Sequence, residues 1–557
     1  MEKIGSLAKR YWPYLLIIFV SGLFRAIRLS NPLNWRSSPY PMGYNGVDEG
    51  IHLMAARLAG SGFKMYVDVN AQQGPLFMFV YQILGGDPFS IRVLSVILSL
   101  IGILVVMVIA EKMNGRSVAV VAGLFLGANF IFLKESRHAS VDLYASVLLV
   151  IAFLLLMMYY EHLDKSVAKE ERKNWPMRFY LVLSGVFFAL ALQTKLYAII
   201  PFAGVGIYLV VLWVIRMRKG KENTSAALMD IVILGISAGV VALAIMFIYG
   251  FEETFQGVFL DNLHRPGMPL EVKLTVVSRF LFYTSIPLIF AAIGVIRHYR
   301  ERNVHFLLIW AVPLTLLFIF QGLSWVHYFV MVIPPISILA AYGVKSLLIL
   351  GPEEETKPKR KEKRTSEKGE PGPDPTFSTF RPSPRNITVL SLAALFVVFF
   401  TCFNAVLLYD AEKPIEYEIA DEVAALSEEG DYVISGDPII SIYADRDQPP
   451  DATNLAAVRY PALDSYDLIN ITCEYQVQVV VFTFHLSSYD RYLDFILNYY
   501  TFHKAYDRSG ETTWTNDAPP TDQSFFLVFY LPEGTNLEYC RQEFILGSDI
   551  INWFYGI

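Results

Sequence analysis

The chain has 557 residues, 54% of them hydrophobic and 18% charged, with a formal net charge of -6 and a mean hydropathy of +0.41. Charged residues usually make up roughly a quarter of a soluble domain, so this composition excludes an ordinary soluble globule. Repeated apolar runs of about 18 or more residues point instead to a polytopic helical membrane protein.

The N-terminal stretch "MEKIGSLAKRYWPYLLIIFVSGLF" lacks a small-residue cleavage site and reads as an uncleaved first span. About eleven spans are expected, near 12–30, 89–110, 116–133, 143–160, 178–195, 197–215, 228–250, 279–296, 305–321, 328–350 and 387–408. Lys195 is the main polar break between the fifth and the sixth. One set of connecting loops holds "MEKIGSLAKR", "EKMNGR", "DKSVAKEERKNWPMR", "RMRKGK", "RHYRER" and "KPKRKEKRTSEK", whereas "QGLSWVH" on the other side has no Lys or Arg. The excess of Lys and Arg predicts a cytoplasmic N-terminus. An odd number of spans then puts the first long loop, 31–88, and everything after about 409 outside.

Within that first loop, "GIHLMAARLAG" and "PLFMFVYQIL" have apolar spacing but are short for crossing, which predicts interfacial helices. Residues 1–350 are expected to form the transmembrane unit and 351–386 a Pro-, Lys- and Glu-rich disordered cytoplasmic linker. A last span at 387–408 then leads to a small α/β domain over 409–557. There "YEIADEVAALSEEG" and "SSYDRYLDFILNYYTFHKAY" read as helices, and "DYVISGD", "VQVVVFTF" and "SFFLVFYLP" as strands. Cys402, Cys473 and Cys540 have no metal-ligand spacing. The last two can form a disulfide if the domain is extracytoplasmic.

The polar residues gather at one membrane face. "GYNGVDEGIH" carries Asp48 and Glu49, "LKESRHASVDLY" carries Arg137, His138 and Asp142, and "LQTKLY" carries Lys195. "SWVHYFVMVIPP" adds His327 and Tyr328, and "FLDNLHRPG" adds Asp261, His264 and Arg265. Taken singly, each reads as an anchor or an ion-pair partner, and "VDEG" as a helix N-terminus that favours carboxylates. Taken together, carboxylates beside several cations suit a phosphate-bearing lipid next to a general base.

The order "Y-N-G-V-D-E-G", "Y-V-D-V-N-A-Q-Q-G-P-L", "R-H-A-S-V-D", "T-K-L-Y" and "H-Y-F-V-M-V-I-P-P" resembles the GT-C glycosyltransferases. It is nearest to the protein O-mannosyltransferase and aminoarabinose-transferase-like branch that uses polyprenyl-phosphate sugars, and the resemblance covers roughly residues 1–350. It implies a GT-C-like membrane bundle, a polyprenyl (dolichyl or undecaprenyl) monophosphate-sugar donor, and a lipid, glycan or protein acceptor hydroxyl. It also implies that Asp48 is the essential carboxylate, with Glu49 its companion in substrate or metal binding. Arg137, Lys195 and His327 would hold the donor phosphate, with His138, Asp142, Tyr66, Tyr328 and Gln73 as further substrate contacts. Some branches have a basic residue before the proline that matches Pro75; here the pair is Gln73-Gly74. The WWDxG signature of oligosaccharyltransferases is absent, which argues against en bloc N-glycan transfer. No cofactor is required, although a divalent metal at Asp48 and Glu49 is compatible with the residue types. Membrane lipids are expected partners, and nucleic acid is not. The alternatives are a polyprenyl-linked lipid transporter or flippase, and a noncatalytic membrane assembly protein.

Overall fold

The structure is a computed structural model and describes residues 2–31, 46–168, 175–218, 224–264, 267–348, 384–409, 414–455, 463–486, 489–507, 513–514 and 525–544. The expected linker over 351–386 lies outside the described residues, except for the start of the helix Pro384–Tyr409.

Among the described residues, seven helices are long and apolar enough to cross a membrane: Pro88–Asn114, Val141–Leu163, Leu196–Ile215, Ala227–Ile248, Leu270–His298, Arg302–Phe320 and Pro384–Tyr409. Shorter apolar helices occupy Tyr11–Ala26, Arg116–Ala128, Met177–Leu192 and Ile333–Leu347. Apolar helices thus stand at every position where a span was expected. Val141–Leu163 has 72% of its apolar window buried and Ala227–Ile248 only 17%, so the first is central and the second faces lipid. A helix apolar on all sides suits both places.

Three of the apolar runs do not continue as single helices, and their breaks share one end of the bundle. Asn129 ends Arg116–Ala128 and its side chain accepts the Phe132 N–H at 3.1 Å, which starts the short helix Phe130–Glu135. Trp175–Leu192 stops before Gln193–Lys195, and the chain resumes through a single turn, Leu196–Ala198. Ile333–Leu347 is preceded by the 3-10 turn Val326–Met331 and has Pro334 and Pro335 in its first turn, where no N–H donor is needed. Irregular backbone at membrane depth is tolerated where it lines a cavity. These breaks deliver Glu135, Lys195 and His327 to one place.

The helix Gly46–Gly60, expected along the interface, is covered by protein. Leu53, Met54, Ala55 and Leu58 are each 0% exposed, because the helix lies between Pro75–Ile83 and Pro438–Tyr443. Apolar spacing alone does not distinguish a lipid surface from a protein one, and here protein covers it. Pro75–Ile83 keeps an open face at Phe79 and Ile83.

The C-terminal region forms one sheet from β1 (Val433–Ser435), β2 (Val479–Phe482), β3 (Thr501–Asp507), β4 (Thr513–Trp514) and β5 (Phe525–Tyr530). The strand order is β1-β2-β5-β3-β4, with β1 and β2 parallel and the other pairs antiparallel. Val479 and Val481 join the core of the helical bundle, whereas Val480 and Phe482 join a second core under Ser465–Glu474 and Asp490–Tyr499. Burial on both faces explains the unbroken apolar run "VVVF". The helix expected to run from "SSYDRYLD" to "FHKAY" ends at Tyr499 and continues as β3. There the burial period changes to two, with Ala505 and Tyr506 in opposite cores. Cys473 and Cys540 are both buried and free.

Gly50 marks the contact between the two parts, since a side chain there would run into the backbone of Pro438 and Ile439. Gly50→Val is expected to lose about 1–3 kcal/mol of stability through this overlap. Gly60→Ala, which meets nothing within 4 Å, should leave the protein as stable or slightly more so. Thermal unfolding of both variants in detergent checks the contrast, and equal transitions would contradict the packing.

Candidate active site

Asp48 and Glu49 are neighbours in the first turn of Gly46–Gly60, and successive helical residues point about 100° apart. Asp48 is exposed and lines an open cleft. Glu49 is turned the other way and is 0% exposed. Its two carboxylate oxygens receive Arg92 Nε at 2.9 Å and Nη2 at 2.7 Å, and Oε1 also accepts the Ala139 N–H at 3.1 Å. Arg92 Nη2 donates further to the Tyr443 hydroxyl at 2.8 Å, and Nη1 to the Ser30 carbonyl at 3.2 Å. The expectation that both acids face substrate or a metal is therefore corrected for Glu49. In a bidentate buried pair of this kind, losing one partner strands the other's charge.

The cleft joins Asp48, Gln73, His138, Asp142, Lys195, His327 and Tyr328, seven of the residues named from the sequence. Gly74 explains part of this convergence. Its N–H donates to the Thr194 carbonyl at 3.3 Å, and a Cβ at this position would strike the Gln193 carbonyl. The Gln-Gly-Pro turn therefore lies flat against Gln193–Lys195 and brings Gln73 beside Lys195. Lys195 Nζ is 3.4 Å from Asp142 and 4.6 Å above the Tyr328 ring, so its charge is held by a carboxylate and an aromatic face.

Glu135 and His138 form a second buried pair, with His138 Nε2 3.1 Å from Glu135 Oε2. The Ser140 hydroxyl donates to the same oxygen at 2.6 Å. Burial by itself would raise the Glu135 pKa, but the His138 charge and hydrogen bond outweigh it and hold the carboxyl below its usual range. Burial likewise opposes charge on His138, and the neighbouring Glu135 overcomes it, so the His138 value is raised. His327 differs: burial pushes its value down against the pull of Glu135, and its Nε2 lies 3.8 Å from an Asp142 carboxylate oxygen.

Two other expected contacts lie elsewhere. Arg137 donates to the carbonyls of Phe24, Arg25, Arg28 and Asn31 at 2.7–3.2 Å, so it closes the end of the first helix instead of facing the cleft. Tyr66 lines a separate depression with Asn70 and Glu252, and its hydroxyl donates to the Gln73 carbonyl at 2.7 Å. It braces the Gln73 turn from behind. Asp261 is buried and accepts from Gln256, His264 is exposed, and Arg265 lies outside the described residues. Among the described residues, no group of three or more His, Cys, Asp or Glu side chains is placed to hold a metal ion.

Sequence reading passed over His52, Gln72, Glu135 and Asn454 in the cleft, and Arg92 beneath it. The Glu135–His138 spacing in "ESRH" was an available signal, since i,i+3 partners share a helical face. Nothing local marks Asn454, which reaches the cleft from the sheet domain.

The fold is shared with solved membrane enzymes. ArnT from Cupriavidus metallidurans bound to undecaprenyl phosphate superposes at a TM-score of 0.61, with 16% identity over 95% of this chain and 99% of that one. The archaeal oligosaccharyltransferase AglB from Archaeoglobus fulgidus, in complex with an inhibitory peptide and a dolichol-phosphate, gives 0.53, with 14% identity over 96% and 77%. The chain thus has the GT-C glycosyltransferase fold, as its motifs implied. The dolichyl-phosphate-mannose-protein mannosyltransferase family matches residues 57–253, a segment that includes Lys195 and begins after Asp48. No curated protein sequence matches the chain.

The Glu135–His138 pair has a pH signature. The raised His138 value contributes stability that is complete below its ordinary 6.5 and is lost as pH rises through the raised value. The depressed Glu135 value contributes stability that is complete above 4.5 and is lost as pH falls through the depressed value. His138→Gln strands a buried carboxylate, at a cost of about 3–5 kcal/mol. The difference in melting temperature between wild type and variant should be largest between pH 4.5 and 6.5 and should shrink above that window. A difference independent of pH would contradict the pairing.

Proposed function

We propose that the chain moves a sugar from a polyprenyl monophosphate to an acceptor hydroxyl at the outer membrane face, with Asp48 as general base. The observation that carries this reading is that Asp48 and Lys195 line one cleft at the broken ends of membrane helices. The mannosyltransferase match over 57–253 and the fold shared with an undecaprenyl-phosphate-bound enzyme support it. The basic loops "EKMNGR" and "RHYRER" follow the helix ends opposite the cleft, which supports an extracytoplasmic site and sheet domain.

In this reading the donor's lipid tail lies between helices and its phosphate meets Lys195, a point charge suited to that group. The acceptor oxygen bonds to the anomeric carbon while the bond from that carbon to the phosphate oxygen breaks. The lipid phosphate leaves with the electron pair, and the acceptor proton passes to Asp48. Attack opposite the leaving group inverts the anomeric centre. A carboxylate is a weak base, so its contribution comes from position within the cleft. Glu49 takes no proton in this scheme, because Arg92 occupies both of its oxygens.

Asp48→Asn keeps the shape and removes the base. It should lower transfer from labelled polyprenyl-phosphate sugars to a crude membrane acceptor mixture by about 10²–10⁴-fold, with unchanged expression and melting. Normal turnover in that variant would end the base assignment. Lys195→Met should instead weaken binding of the bare lipid phosphate by about tenfold, read by titration of the purified protein. Unchanged affinity would remove Lys195 from the phosphate site.

A further inference from the structure

The sheet domain is built into the cleft as well as lying beside it. Asn454, a residue of that domain, lines the same cavity as Asp48 and Lys195 and is 7% exposed. Its backbone is anchored by its own domain: Ala452 and Leu455 sit in the second core at 0% and 1% exposure. The Thr453 hydroxyl turns inward and donates to the Pro450 carbonyl at 3.1 Å. Asn454 is therefore presented by a fixed turn.

The domain that carries this turn is also docked at fixed points. Arg57, on the helix that bears Asp48, donates to Asp445 and Asp447 at 2.6 Å each. Tyr443 receives Arg92 from below, and Ile439 packs where Gly50 has no side chain. These contacts, at both ends of Gly46–Gly60, hold the segment before Asn454 against the helix that bears Asp48.

We infer that Asn454 is a substrate-contacting, specificity-determining residue that reads the hydroxyl groups of the transferred sugar. The inference rests on the glycosyl-transfer reading given above. A carboxamide offers two donor hydrogens and an acceptor oxygen without charge, which matches a pair of adjacent sugar hydroxyls. The charged part of the donor already has Lys195, and the proton has Asp48. A neutral, two-way hydrogen-bonding group on the remaining wall serves the neutral part of the ligand. A site that pairs with a particular hydroxyl discriminates against ligands lacking it. The sheet domain would thus select among lipid-borne sugars.

The test uses purified full-length protein and two kinds of probe, bare dolichyl phosphate and dolichyl phosphate carrying mannose or glucose. Wild type should bind at least one sugar-bearing lipid more tightly than the bare one. Asn454→Ala should cut the affinity for that lipid about tenfold while leaving the bare phosphate within about twofold, so the second measurement also reports intact folding. Asn454→Asp, which keeps the size and loses the donor hydrogens, should change affinity in the same direction. A wild-type preference for the sugar that survives both substitutions would overturn the role of Asn454 alone. That role also falls if both lipids weaken equally, or if wild type shows no preference for the sugar. Failure of wild type to bind either kind of lipid would overturn the donor reading itself.

Discussion

The buried pair between Glu49 and Arg92 is the constraint on which the arrangement depends. It takes one of two adjacent acids out of the cleft and leaves the other, Asp48, exposed within it. Through Ala139 the same carboxylate holds the 136–140 turn that carries His138 and Ser140, and through Tyr443 the same guanidinium reaches the sheet domain. A charge pair at 2% and 0% side-chain exposure adds little net stability over apolar residues of the same shape. It does penalise any geometry that separates its members. Its effect is specificity of placement at the point where three parts of the chain meet.

The remaining geometry follows from where the membrane helices break. A continuous apolar helix satisfies its own backbone and presents nothing chemical. Interruption at Asn129, at Gln193–Lys195 and before Pro334 leaves polar turns at one end of the bundle. These turns bring two buried ion pairs, Glu135 with His138 and Asp142 with Lys195, to the same cavity. The cavity is thus polar and preorganised, the condition under which fixed charges act most strongly on a developing charge.

Much of this was readable in the sequence for plain physical reasons. Apolar runs long enough for a bilayer announce themselves, and ionisable residues at their ends are rare enough to stand out, as Lys195 and Asp142 do. Partnership was harder to read. Asp48 and Glu49 look equivalent as letters, and only the direction of each side chain separates them. Arg137 looks like a phosphate ligand until its guanidinium is seen closing a helix end. Asn454 was invisible because it arrives from a different domain, hundreds of residues away in the chain. The protein cover of the short helix Gly46–Gly60 could not be read from its own letters, because its partner, Pro438–Tyr443, lies equally far off.

The most direct measurement compares transfer activity and melting in Glu49→Leu, Arg92→Met and the double variant. If Glu49 serves placement alone, each single variant strands a buried charge and loses both stability and transfer. The double variant, with neither charge, should then recover both relative to the singles. A double variant that melts like the wild type yet transfers no better than Glu49→Leu would contradict the account, because Glu49 would then act on the substrate itself.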